Sequence, residues 1–458
     1  MSLARMAHDL TLLAPQLAVL WAAVGALAFE MLRLPKVALV YTVVGLFSAA
    51  GLAVAFLGTQ TSVFTGTYRV DSLSLWAVIV LSSATAFVAV LARREVGGTD
   101  REGTVYALLA FTLLGAIMLA GAGDVMFLVL GVLLSSLGSF ALVAYPRDDR
   151  ATEAAMKYFV FGSVAEAVMI FGLTYWYGAV GSTLLSELPS LKGYPLAAAF
   201  GLVAVLVGLG YKASYVPFHF WAPDAYDGAP VSIAAFLSIV PKVGAIFALA
   251  QVVHDLPEGL VAWQLVVAVL AAFSMTYGNL AALVQERIVR LLAYSSIAQA
   301  GYFLLGIVDV GQGALATRSL VVFAAAYAAM NLGAFAVVLQ AGRRIGDFTG
   351  LWRTSPWAAG AMVVFLFSLV GVPPLAGFVG KFLLFGAAID AGYTWLAVVA
   401  ILNSVLSLGV YLRVVVPMFR EPKKAPASPP LVVAVWGVAF FATAAIGIAA
   451  QVLLGRVV

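Results

Sequence analysis

Apolar runs separated by short polar connections occupy nearly the whole chain, and a run of about 20 apolar residues is what crossing a bilayer as a helix requires. The runs cover 10–31, 37–58, 72–92, 104–122, 124–146, 151–178, 194–224, 230–253, 258–283, 286–308, 311–341, 355–390, 393–419 and 431–454. They predict fourteen transmembrane helices, numbered here as spans 1 to 14, in an all-α polytopic membrane protein. The stretch 59–71 (TQTSVFTGTYRVD), with apolar residues around Gly66, predicts a small hairpin between spans 2 and 3. Span 1 ends near Ala26-Leu27-Ala28, a signal-peptidase-like sequence. Its apolar run is long for a cleaved leader, so it reads as a retained helix.

Two spans are interrupted. Span 7 contains LVGLGYKASYVPFHFWAPDAY (206–226) with Pro217 and Pro223, and span 12 contains SLVGVPPLAGFVGKFLLF (368–385) with Pro373 and Pro374. Proline removes an amide donor and clashes with the preceding turn. In lipid the freed carbonyls must meet protein or water, so such breaks line cavities. The broken spans lie five apart, and an odd offset reverses direction. Spans 4–8 and 9–13 therefore read as two inverted five-helix repeats, each broken in its fourth helix, a pattern associated with transport. The implied division is a three-helix segment (1–103), a first repeat (104–256), a second repeat (257–420) and a C-terminal helix (421–458).

Composition narrows the class. Of 458 residues, 64% are hydrophobic and 10% charged, against about 25% charged in soluble chains. There is no cysteine, which excludes disulfides, thiolate-held iron–sulfur clusters and cysteine zinc sites. Three scattered histidines, His8, His219 and His254, do not suggest a metal centre. No metal and no cofactor are expected in this chain, and the net charge of +4 does not point to nucleic acid.

The charges sort by loop. Fifteen basic residues fall on one side: Arg33, Lys36, Arg93, Arg94, Arg101, Arg147, Arg150, Arg287, Arg290, Arg343, Arg344, Arg353, Arg420, Lys423 and Lys424. Five, Arg5, Arg69, Lys192, Arg318 and Arg456, fall on the other. The positive-inside rule makes the first side cytoplasmic, or its equivalent, and puts both termini on the other side; the membrane expected is the cell inner (plasma) membrane.

The remaining basic residues, Lys157, Lys212, Lys242, Lys381 and Arg413, lie inside spans. A charge at the bilayer centre costs on the order of 2.5–3.5 kcal/mol on insertion scales and marks function by default. Lys212 precedes Pro217 by five residues, Lys242 follows Pro241, and Lys381 lies seven residues beyond Pro374. A lysine in a dry setting loses preference for its charged form, so each could load and release a proton. The alternative is a fixed structural cation.

Other residues fit around these three. Lys157 lies four residues after Glu153, the favourable order for a helical ion pair, and reads as structural. Arg413 stays protonated and reads as an anchor or charge partner. His219 beside the break is of a type that titrates near neutrality and suits either a relay or a structural role. Asp224 reads as a cap at the end of the half-helix. Glu166 lies about 20 Å along span 6 from Glu153, too deep to stand unpaired, with Lys212 a candidate partner. Tyr294, Ser295, Ser296, Gln299 and Tyr302 form a polar stripe on span 10 that could hold a water chain or only bond to neighbouring helices.

These residues also carry a resemblance. KASYVPFHFWAPDAYDGAP (212–230), IVPKVGAIFAL (239–249), RLLAYSSIAQAGY (290–302) and the span-12 sequence resemble the antiporter-like subunit N family of the proton-pumping NADH:quinone oxidoreductase, respiratory complex I, over nearly the whole chain. The sister subunits L and M have a more threonine-like VPLHTWLPDA pattern and usually a histidine on helix 8, so Lys242 in VPK favours N.

The resemblance implies a non-redox translocase subunit with no redox cofactor of its own, driven by redox chemistry in partner subunits. Those partners would be M-type antiporter-like and small K/J-type membrane subunits, and the complex a quinone reductase of the respiratory chain. It makes Lys212, Lys242 and Lys381 similar to the family's proton-carrying lysines of helices 7, 8 and 12. Two positions depart from the family: its helix-5 glutamate is Leu133 here, and the histidine of SSIAHAGY is Gln299. Glu166 is then expected to replace the missing glutamate as partner of Lys212. The competing readings are a subunit of a multi-subunit cation/proton antiporter and a ferredoxin-, deazaflavin- or hydrogen-linked sister complex.

Overall fold

The apolar runs form helices in a computed structural model of the chain, which describes residues 3–257, 259–313, 315–421 and 427–449. The first part holds α1 (Leu3–Leu12), α2 (Ala14–Met31), α3 (Pro35–Ala55), α4 (Ser72–Val96), α5 (Glu102–Ala120) and α6 (Val125–Ala144). The middle holds α7 (Asp149–Val180), α8 (Pro195–Ala213), α9 (Ala222–Gly228), α10 (Val231–His254), α11 (Trp263–Ala282) and α12 (Ile288–Ile307). Last come α13 (Leu315–Ala341), α14 (Leu351–Thr354), α15 (Pro356–Val370), α16 (Ala376–Asp390), α17 (Thr394–Met418) and α18 (Pro430–Ile448). Among the described residues, 13 helices are long and apolar enough to cross a membrane. The chain is an integral, multi-pass helical membrane protein.

Local chemistry sets several boundaries. Asp71, Asp124 and Asp148 each accept backbone amides at the starts of α4, α6 and α7, the usual work of an N-cap carboxylate. The hairpin between spans 2 and 3 forms as β1 (Thr61–Val63) against antiparallel β2 (Tyr68–Val70). Span 1 begins differently from its expected start at residue 10. Leu3–Leu12 is a separate helix, because Pro15 in the first turn of α2 cannot donate to the carbonyl four residues back.

Span 7 stops at Ala213, where Ser214 turns left-handed with φ 55°. The chain resumes as the seven-residue α9. Span 12 is two helices, α15 and α16. The first is closed by Gly371 at φ 97°, a conformation that glycine adopts without Cβ strain. Gly377 is needed where the halves cross, since a Cβ there would lie 1.7 Å from the Ser368 carbonyl oxygen. Both breaks contain a cis peptide bond, Val216–Pro217 and Pro373–Pro374. Span 14 beyond residue 449, which is followed by Arg456, and separately Lys423 and Lys424 before it, lie outside the described residues.

The centre of the bundle is α10, in which every residue from Val231 to Val253 is buried. A helix apolar on all sides belongs inside. Gly244 lets it meet α5 closely, as a Cβ would come within 2.7 Å of the Ala116 carbonyl oxygen. At one end of the bundle Asp227 pairs with Arg150 and Arg287, while Arg343 donates to the Asp227 and Ala229 carbonyls. Glu95 accepts from Val231 N and Ser232 N, each at 2.8 Å. These contacts gather at one end loops that the charge sorting assigns to one side. At the other end of α10, Arg69 of the hairpin pairs with Asp255.

Candidate functional site

The two breaks expose helix ends inside the protein, and buried lysines meet them. Lys242, on α10 and fully buried, donates to Ala213 O at 2.8 Å, Ser214 Oγ at 2.6 Å and Ser296 O at 2.8 Å. Three acceptors match the three N–H groups of an ammonium. Two of them lie at the C-terminal end of α8, where the helix dipole favours a cation. Lys381, on α16 and 2% exposed, donates to Val370 O at 3.1 Å, the last residue of α15, and to Ser404 Oγ at 3.2 Å. Its Nζ lies 3.7 Å from the Tyr302 ring centroid, within cation–π range.

Lys212 sits on α8 one residue before the Ala213 carbonyl that Lys242 holds. Its Nζ donates to Ser136 Oγ at 2.7 Å, and the Ser136 hydroxyl bonds Glu166 Oε1. The Tyr158 and Tyr211 rings flank the ammonium at 5.7 and 5.5 Å. The carboxylate of Glu166 is thus turned toward Lys212, with a hydroxyl between them. It makes no ion pair within 4.0 Å with any lysine or arginine among the described residues.

The stripe on α12 joins Lys242 and Lys381. Ser296 accepts Lys242 at its carbonyl, and its hydroxyl meets Tyr226 Oη at 3.3 Å. One turn on, Gln299 Nε2 donates to Leu369 O at 3.1 Å, at the broken end of α15. Another turn on, Tyr302 Oη reaches Ser404 Oγ at 2.9 Å, the hydroxyl that also accepts Lys381. Ser295 meets Tyr411 Oη at 2.6 Å. Most of the stripe therefore makes interhelical bonds.

The remaining candidates have definite places. Lys157 pairs with Glu153 at 2.8 Å and with Asp224 at 2.9 Å. Asp224 does not cap a half-helix. It lies in the first turn of α9 without a capping bond and instead pairs with Lys157 and with Arg290 at 2.6 Å, because the break brings α9 against α7 and α12. Arg413 anchors α17 on the Ala282 and Leu283 carbonyls at the end of α11. His219 is buried against Phe220 and Tyr277, and its Nδ1 has no hydrogen-bond partner among the described residues. No hydrogen bond among the described residues links it to a lysine.

Ser136, Ser214 and Ser404 are the residues the sequence reading missed. Each is a hydroxyl in an otherwise apolar or broken helix, and its partner comes from another helix. The usable signal was the polar VLGVLLSSLGSF run on α6, where Ser136 lies three residues beyond Leu133.

A family model described as NADH:quinone oxidoreductase/Mrp antiporter, transmembrane, matches residues 122–407. The matched region holds all three lysines and places the chain in the class of antiporter-like membrane subunits. NADH-quinone oxidoreductase subunit N 1 of Streptomyces griseus subsp. griseus is 40% identical over 433 residues, covering 92% of each chain. A chain in respiratory complex I from Thermus thermophilus superposes with a TM-score of 0.85 at 31% identity, covering 96% of this chain and 98% of that one. A chain of the Mrp complex from Dietzia sp. has a TM-score of 0.82 at 23% identity, covering 100% and 96%, a likeness of fold alone. The chain belongs to the subunit N family of NADH-quinone oxidoreductase, respiratory complex I.

Proposed function

We propose that this chain is a proton-translocating membrane-arm subunit of a complex I-type NADH:quinone oxidoreductase. Protons enter from the cytoplasmic side past His219, load Lys212 beside Glu166, pass through Lys242 and the α12 stripe, and leave near Lys381. The observation that carries this reading is the pairing of each break with a lysine: Lys242 on Ala213 O and Lys381 on Val370 O. The α12 residues lie between these two sites. Each cation is held by carbonyls and hydroxyls, with no carboxylate among the described residues fixing it in place.

The same pairing supports two inverted units, 104–256 and 257–420, flanked by 1–103 and 421–458. In this arrangement α15 and α16 together make one crossing, which brings the total to fourteen. The basic end of the bundle faces the cytoplasm, with both termini on the other side of the plasma membrane. Moving one charge against 100 mV costs about 2.3 kcal/mol. That energy comes from redox chemistry in partner subunits, and this chain needs no cofactor of its own. Its neighbours are M-type antiporter-like and small K/J-type membrane subunits.

The test is purification of the assembled complex and its reconstitution into liposomes. NADH oxidation with quinone should acidify the lumen. Recovery with small antiporter subunits, no flavoprotein and cation/proton exchange independent of any electron donor would overturn the reading.

A further inference from the structure

Between Glu166 and Lys212 stands a single hydroxyl, and its chemistry suggests more than a spacer. We propose that Ser136 is the group through which Glu166 and Lys212 share a proton, so that the two behave as one protonation unit. The inference rests on Lys212 lying on the proton path.

A serine hydroxyl has one hydrogen to give and lone pairs to receive. Ser136 Oγ receives from Lys212 Nζ at 2.7 Å and is bonded to Glu166 Oε1. With Glu166 ionised the serine donates to the carboxylate while accepting from the ammonium. All three groups are buried: Ser136 at 0%, Lys212 at 1% and Glu166 at 6% exposed. Bulk water therefore does not compete for these bonds. The Tyr158 and Tyr211 rings cover the ammonium from α7 and α8. Leu133, one turn earlier on α6, offers no second acceptor.

The step balances within the three residues. An N–H bond of the Lys212 ammonium breaks as its proton moves to Ser136 Oγ, and the Ser136 O–H proton moves to Glu166 Oε1. Ammonium and carboxylate become amine and carboxylic acid, and the serine is regenerated. Both forms have zero net charge, so the exchange moves no net charge into a region where unpaired charge is costly. A proton arriving from the entry side leaves the unit with Lys212 charged and Glu166 protonated. Release toward Lys242 restores the starting form. Ser136 is a positioning and relay residue in this scheme, and the pair holds one transferable proton.

The experiment measures the rate of quinone-reduction-driven proton translocation by the full complex in liposomes, for Ser136→Ala, Ser136→Thr, Glu166→Gln and the Ser136→Ala/Glu166→Gln double variant. Subunit content of each preparation confirms assembly. The expected result is a fall of about fivefold for Ser136→Ala, the scale of one lost hydrogen bond. Glu166→Gln should fall similarly, and the double variant no further, as members of one unit are non-additive. Ser136→Thr, which keeps the hydroxyl, should recover most of the rate. Should Ser136→Ala fail to assemble, Ser136→Cys replaces it and should lower the rate because a thiol is a weak donor.

Several outcomes overturn the proposal. Wild-type pumping in Ser136→Ala or Ser136→Cys alongside impaired Glu166→Gln would mean that Glu166 acts without the hydroxyl. Independent, multiplying losses, or a Ser136→Thr variant as impaired as alanine, would reduce Ser136 to a packing role. Wild-type rates in both Glu166→Gln and Lys212→Met would instead remove the proton-path reading on which the proposal rests.

Discussion

The Lys242 ammonium is bonded at 2.8 Å to the carbonyl of Ala213, the residue that follows Lys212. This contact ties the buried central helix α10 to the broken end of α8, and brings Lys242 onto the residue next to Lys212. Three acceptors satisfy Lys242, so its charge is held by carbonyl and hydroxyl dipoles. Lys381 has a matching relationship with Val370 at the end of α15. On the proposed path a proton would move between two sites where no carboxylate among the described residues pairs with the lysine.

Tyr302 supports Lys381 in two separable ways. Its ring lies under the ammonium at 3.7 Å, and its hydroxyl bonds Ala400 O and Ser404 Oγ. Tyr302→Phe keeps the ring, and its proton-translocation rate should fall about two- to threefold. Tyr302→Leu also removes a buried cation–π contact of about 2 kcal/mol and should cost about tenfold or more. Stopped-flow pH measurements on reconstituted complex distinguish the two. Equal rates for the variants would show that the ring does not matter.

Asp227 joins the arginines at the basic end of the bundle. Asp227→Asn leaves Arg150 and Arg287 without their partner. Removing one member of a buried pair is strongly destabilising, but these arginines are partly exposed, which reduces the loss to about 2 kcal/mol. Thermal unfolding of the purified complex should show an earlier loss of this subunit. Glu153→Gln, at the exposed pair with Lys157, should leave the unfolding temperature unchanged, because such surface pairs contribute little.

Asp309, in the turn after α12, gives a pH signature. Burial, and then the nearby Asp390 carboxylate, raise its pKa from 3.8 to about 6. The folded state therefore holds a proton that the unfolded state has lost between these values, and stability falls as pH rises from about 4 to about 6. Asp309→Asn, neutral throughout, should remove this component. The difference in unfolding temperature between variant and wild type should widen in favour of the variant over that range and level off above it. A difference independent of pH would contradict the assignment.

The sequence made the helices legible because apolar run length alone determines them in lipid. The breaks at Pro217 and Pro373–Pro374 were visible as proline in apolar context, and the Lys157–Glu153 pair followed from four-residue spacing. The exact end of α8 was not legible, since it depends on Ser214 adopting a left-handed turn. Asp224 was misread as a cap because its partners, Lys157 and Arg290, come from distant helices that only the fold assembles. Ser136 and Ser404 were hidden for the same reason: a hydroxyl in an apolar helix gains meaning from what faces it.

Lys242 is the most direct test of the proton path, because it contacts both the α8 break and the α12 stripe. Lys242→Met keeps much of the side-chain length and removes all three donors. In the assembled complex, reconstituted in liposomes and driven by NADH and quinone, the rate of proton translocation should fall at least about tenfold, the scale of one charged-group hydrogen bond. A correctly assembled Lys242→Met complex that pumps at the wild-type rate would contradict the account.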